Sequence, residues 1–282
     1  MARLGVNPYG KAETHLVRVY RDGPIHELRD LTVSVALSGA LDAVHLEGDN
    51  SAVLATDTQK NTVYAFAREH PVGAPEEFAA RLARHFLGGA ITRARVEVAE
   101  AAWARLGDHA FTQAERATRI AVAVAEGDTV WFASGIAGLV VLKTTDSEFH
   151  GFPRDRYTTL QETRDRVLAT EVSARWRHDG DADWQAARRA LLDTFAAHHS
   201  LSLQQTLYAM GAAVLDACPP VHEIRLSMPN KHHFVVDLAP FGLENANELF
   251  HADDRPYGLI EGAVVREGAP DPGPLWDPYP LV

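Results

Sequence analysis

A chain of 282 residues with 46% hydrophobic content can bury a sizeable core and is long enough for one large or two medium domains. Its 38 acidic residues outnumber 27 basic ones, giving a net charge of -11. That balance argues against nucleic acid or an anionic membrane as partner, and an anionic substrate would need a local cation. The single cysteine, Cys218, permits no disulfide within the chain, suits a reducing compartment and reads as a small buried hydrophobe. No apolar run approaches a membrane span, and Met1 to His15 lacks the apolar core of a secretory signal, so a cytoplasmic protein is expected.

Along the chain, Thr14 to Arg21 alternates apolar and polar residues as a first strand, which places Lys11 of Tyr9-Gly10-Lys11 at its entry. A lysine there is either a solvated charge or, where burial depresses its pKa, a base. His26 to Leu37 predicts a second strand, with Leu31, Val33, Val35 and Leu37 on one face. Next comes Ala55-Thr56-Asp57, where Thr56 or Asp57 is a candidate helix N-cap. The first backbone amides would then be free to hold an electron-rich ligand, although a plain capped helix fits equally. A second helix starts after Pro75, with Phe78, Leu82 and Phe86 on one face, and stops at Gly88-Gly89. Strands over Ile91 to Ala99 and Thr129 to Leu139 complete a strand-strand-helix-helix-strand-strand run.

The pattern then repeats. Val140 to Lys143 and Arg166 to Trp176 read as strands, Trp184 to Ala197 and Leu203 to Ala217 as helices, and Val221 to Leu226 and Phe234 to Leu238 as strands. Two such units would make an α+β protein with domains at 1–139 and 140–282. Each has a helical face and an open sheet to close, which favours a ring of sheets and oligomerisation. The segment from Ser147 to Arg166, too aromatic for a simple linker, is a long connection of the kind that carries function or orders on assembly. The tail from Glu248 to Val282 reads as one more extended segment that packs or swaps between subunits.

The most chemical stretch is Ser227 to Leu238, where Asn230, Lys231, His232 and His233 interrupt two strand-like apolar runs after Pro229. Alternate strand residues share a face, so Asn230 and His232 point one way and Lys231 and His233 the other. Either a functional strand or a polar turn that happens to hold two histidines would produce this pattern.

Met228-Pro229-Asn230-Lys231-His232-His233-Phe234 closely resembles a motif of urate oxidase, a cofactor-independent purine oxidase family built from tunnelling-fold repeats. The likeness extends in the family's order through Tyr9-Gly10-Lys11, Ala55-Thr56-Asp57 with Lys60-Asn61-Thr62, Phe149-His150-Gly151-Phe152, Tyr157-Thr158-Thr159-Leu160, Arg166 and Ser202-Leu203-Gln204. It implies two tandem tunnelling-fold ββααββ units, with helices outside and antiparallel sheet facing a tunnel. It further implies a homotetramer whose sites lie at subunit interfaces.

The resemblance also implies roles. Urate is a flat anion, which Arg166 would meet with its planar fork, Gln204 with an amide donor and acceptor, and Phe149 by stacking, with Leu203 beside them. Backbone amides near Thr56 and Asp57 of a neighbouring subunit would bind the imidazole edge. Lys11, Thr56 and His232 would relay protons, and Asn230 would position oxygen or water. The implied reaction turns urate, molecular oxygen and water into 5-hydroxyisourate and hydrogen peroxide with no cofactor and no metal. His150 and His233 are expected to be structural or supporting, and Gln204 is preferred to Gln205 on motif alignment. Tyr279-Pro280-Leu281-Val282 lacks the peroxisomal Ser-Lys-Leu signal that eukaryotic members often carry, so bacterial cytoplasm is expected. The competing readings are a pterin-acting tunnelling-fold enzyme, which zinc bound through His232 and His233 would favour, and a non-catalytic purine-binding protein.

Overall fold

The computed structural model describes residues 2–277, so Tyr279-Pro280-Leu281-Val282 lies outside the described residues. The chain forms two compact units. The first gathers residues up to Gly135 with Arg177–Gly180 and the described residues from Pro270 onward; the second comprises Ile136–Trp176 and Asp181–Ala269.

In the first unit the order is β1 (Tyr9–Tyr20), β2 (Glu27–Gly39), the short α1 (Asp42–Leu46), α2 (Thr56–Glu69), α3 (Pro75–Phe86), β3 (Ile91–Arg105) and β4 (Phe111–Glu126). The strands pair antiparallel in the order β1-β2-β3-β4. Leu31, Val33, Val35 and Leu37 of β2 are at most 2% exposed and form one core with Val63 of α2, Phe78 and Leu82 of α3 and Val96 and Val98 of β3. Each such side chain contributes roughly 1.5–3 kcal/mol by leaving water, which ties both helices to one sheet face. The approach of β1 to β2 requires glycine at one point: a Cβ on Gly10 would stand 1.8 Å from the Val35 carbonyl oxygen. Just beyond, the register shifts between Lys11 and Thr14, and Glu13 takes φ 54°.

The second unit holds α4 (Trp184–Ala197), α5 (Leu203–Ala217), β7 (Val221–Ser227), β8 (Asn230–Val235), β9 (Phe250–Gly258) and β10 (Glu261–Val265). Two further strands, β5 (Thr129–Lys143) and β6 (Leu168–His178), are each divided between the units. Here β6 neighbours β7, β7 neighbours β10, and β8 pairs with both β6 and β9. Asp183 caps α4 by accepting the Ala186 amide at 3.0 Å, and Ser202 caps α5 by accepting that of Gln205 at 3.2 Å. Gly211 lets α5 sit close to β10, since a Cβ there would lie 2.5 Å from a Val264 methyl.

The α+β class with two successive ββααββ runs holds, with four corrections. The first run ends in β3 and β4, not at Thr129 to Leu139. Residues Ile120 to Ala125 of β4 are all buried, so no polar alternation marks them, and alternating alanines have weak strand propensity. Thr129 to Leu139 and Val140 to Lys143 are instead a single strand, β5, that opens the second run. The first strand starts at Tyr9 and contains Lys11; the bulge interrupts the alternation that would have extended it. Finally, Asn230 to His233 are not an interruption between strands but the first part of β8.

Candidate functional site

The expected site residues fall into groups fixed by different elements. In the first unit, α2 begins at Thr56 itself, and its N-cap position is Ala55, which has no capping side chain; neither Thr56 nor Asp57 is the cap. The helix's leading amides therefore point outward uncapped, at the positive end of the helix dipole. Thr56 is exposed, and its hydroxyl makes no hydrogen bond within the described residues. Asp57 is engaged, pairing with Lys60 and accepting from Asn61 at 3.0 Å. The Lys60 contact holds its carboxyl below the usual range, and the charge of Lys11 adds to the effect. Lys11 is half-buried, lies opposite Val35 and forms no ion pair among the described residues.

In the second unit a second group assembles around Ser147. Its carbonyl accepts the Arg166 amide at 3.0 Å, and its hydroxyl accepts Arg166 Nε at 3.2 Å. This places the guanidinium 5.3 Å from the centroid of Phe149, over the ring, with both terminal nitrogens unpartnered among the described residues. Burial lowers the Arg166 pKa, but a guanidinium stays charged. Phe149 is fixed by paired backbone bonds to Thr163 at 2.8 and 3.0 Å and by stacking on Phe152 at 5.1 Å. The same segment runs parallel to the lead-in of α5, because Ser147 bridges Ser200 and the Glu148 amide donates to the Ser200 carbonyl at 2.7 Å. The first turn of α5 thus sits beside Phe149 and Arg166.

That first turn separates two neighbouring glutamines. Gln205 accepts the Leu201 amide at 2.9 Å while its own amide bonds to Ser202, a reciprocal cap of the capping-box type. Gln204 is exposed, and its side chain makes no hydrogen bond within the described residues. Leu203, 3% exposed, anchors the turn in the core.

On β8, Asn230 pairs with Thr170 of β6, only four positions beyond Arg166 in the chain, and Thr170 also donates to the Pro229 carbonyl at 2.9 Å. The pairing with β9 shifts register between Asn230 and His232, and His232 stacks on Phe234 at 5.5 Å; neither Asn230 nor His232 has a side-chain hydrogen bond within the described residues. The opposite face is committed to structure. Lys231 pairs with Glu171 at 3.2 Å, and His233 lies edge-on to Phe250 while its Nδ1 meets the Lys231 carbonyl at 3.0 Å. Facing apart, His232 and His233 do not converge on one point.

Sequence reading missed the carboxylate that braces Phe149. Glu148 lies 2.7 Å from His199 Nε2 and 2.9 Å from His150 Nε2, contacts that hold its pKa down, with the His199 bond the largest cause. His150 carried a signal through its place in the motif; Glu148 and His199, far apart in sequence, carried none. Tyr9 was likewise quoted only as a motif residue.

Comparison with known proteins finds likeness to uricases over nearly the whole chain. The family model described as Uricase matches residues 7–124 and 132–261. The uricase of Arthrobacter globiformis is 52% identical over 282 residues, covering 97% of this chain and 93% of that protein. That of Danio rerio is 37% identical, covering 92% and 93%. The crystal structure of the Arthrobacter globiformis uricase matches with a TM-score of 0.93, covering 98% of this chain and 99% of that one. A Bacillus fastidious uricase, 23% identical with a TM-score of 0.82 over 94% of this chain and 95% of that one, shares the fold.

Proposed function

The chain belongs to the uricase family, and we propose from that premise that its groups of unspent polar side chains form one urate-oxidising site completed between copies of the chain. It is a urate oxidase, converting urate, O2 and water to 5-hydroxyisourate and hydrogen peroxide. Two electrons leave the purine and reduce O2 to peroxide, while water supplies the hydroxyl oxygen of the product. The observation that carries the reading is the buried Arg166 guanidinium set beside Phe149 with its terminal nitrogens unpartnered among the described residues, a planar cation prepared for a flat anion.

In this reading Arg166, Gln204, Leu203 and Phe149 of one copy hold the ring. The uncapped amides at Thr56 and Asp57 of another copy bind its imidazole edge. Lys11, Thr56 and His232 move the protons, and Asn230 places O2 or water above the ring. The electron-rich urate dianion is the reductant, so the side chains deprotonate, align and exclude water. The assembly is a homotetramer in which tandem tunnelling-fold repeats, the first ending with β4 and the second opening with β5, close a tunnel, and it works in the bacterial cytoplasm.

The test follows the loss of urate absorbance and the appearance of peroxide with metal-free purified protein, with and without oxygen. One peroxide per urate, formed only with oxygen present, is expected. Urate binding without turnover would reduce the chain to a purine-binding protein. The adjacent glutamines give a sharper check. Gln204→Ala is expected to raise KM for urate several-fold without moving Tm. Gln205→Ala should instead cost about 0.5–1 kcal/mol of stability through the lost cap, read by thermal melting.

A further inference from the structure

We infer that Tyr9 is a positioning residue for the proton relay, tying the segment that leads into α2 and Thr56 to the strand that carries Lys11. The inference rests on the relay reading above. Over Tyr9 to Lys11 the pairing with β2 is regular, with Tyr9 opposite Leu37 and Lys11 opposite Val35, so both side chains leave β1 on the face that packs against the helices. From there the Tyr9 hydroxyl both accepts the Leu54 amide at 3.0 Å and donates to the Leu54 carbonyl at 3.2 Å. Leu54 lies two residues before Thr56, as Tyr9 lies two before Lys11. One phenol therefore spans the two backbone segments that carry the relay's lysine and threonine.

A second side chain holds the same point. Gln59, with 0% exposure, donates Nε2–H to the Leu54 carbonyl at 3.1 Å, and its Oε1 is buried without a partner among the described residues. A buried unsatisfied amide oxygen costs about 1–3 kcal/mol, more than a purely apolar side chain would here. Because Ala55 gives α2 no side-chain cap, the grip of Tyr9 and Gln59 on Leu54 takes over the task of locating its first turn. Gly10 constrains the other side, since no larger residue fits against Val35 at that point in β1. Displacement of a catalytic group by a fraction of an ångström to one ångström costs up to about 10²-fold in rate.

The experiment is a double-mutant cycle of Tyr9→Phe and Lys11→Met, with kcat measured across pH and Tm recorded for each protein. Tyr9→Phe is expected to lower kcat about 10- to 50-fold and alter its pH profile in the Lys11 background, and to cost nothing further in the Lys11→Met background. Equal losses in both backgrounds would mean that the phenol only supports the fold, and the inference would be overturned. Unchanged kcat in Tyr9→Phe beside a large loss in Lys11→Met would overturn it while leaving the relay standing. Unchanged kcat in Lys11→Met would sink the relay itself, and this inference with it. Should Tyr9→Phe fail to fold, Gln59→Leu serves in the same cycle, with an expected loss of about 3- to 10-fold confined to the Lys11 background.

Discussion

Lys11→Met is expected to lower kcat by about 10²–10⁴-fold, the usual contribution of a positioned acid-base group, while urate still binds. Methionine keeps the length and most of the packing of the stem and removes only the amine. A solvated surface lysine gives a different result, because substitutions of that kind stay within about 0.5 kcal/mol and leave turnover near its starting value. The structure supports the first outcome through what Lys11 lacks. It is half-buried, has no ion-pair partner among the described residues, and sits near enough to α2 for its charge to act on Asp57. Steady-state kinetics together with urate binding measured without oxygen separate the two cases. A kcat within threefold of the parent would remove Lys11 from the mechanism.

The residues legible in the sequence were those whose role depends on their own type and near neighbours. His232 and His233 could be assigned to opposite faces because strand alternation is local, and β8 bears that out from Lys231 onward, while its pairing with β9 shifts register between Asn230 and His232. The α3 helix was legible from its spacing of Phe78, Leu82 and Phe86 and from the proline before them, which proves to be its first residue and not the one preceding it. By contrast, β4 was invisible because its stretch from Ile120 to Ala125, buried on both faces, loses the polar alternation that announces strands, and alanine adds no strand signal of its own. Glu148 and His199 meet only after Ser147 docks beside Ser200, and Tyr9 reaches Leu54 only after β1 joins β2 against the helices. Such contacts belong to tertiary structure, and no periodicity encodes them. The choice between Gln204 and Gln205 lies between these extremes: motif alignment favoured Gln204, and the α5 cap supplies the physical reason by occupying Gln205.

Arg166→Met is expected to raise KM for urate, or the Kd of an unreactive purine anion, on the order of 10²–10³-fold, with a smaller fall in kcat. The estimate follows from geometry. Ser147 takes the Nε hydrogen of Arg166, which leaves the two terminal nitrogens for a ligand, and hydrogen bonds to charged groups contribute about 1.5–3 kcal/mol each. Two such bonds, partly offset by desolvation, give roughly 3–4 kcal/mol, and each 1.4 kcal/mol is a factor of ten in affinity. Burial sharpens the effect, because the guanidinium is already partly stripped of water before the anion arrives, a condition visible in its lowered pKa. Arg166→Lys should recover little, since an ammonium cannot reproduce the planar fork that sits over Phe149. Arg164, two positions earlier and 77% exposed, provides the control: its loss should change KM by less than about threefold, as expected for a solvent-screened charge. If Arg164→Ala and Arg166→Met weakened binding equally, general attraction of the anion would explain both, and the directed clamp over Phe149 would have to be abandoned.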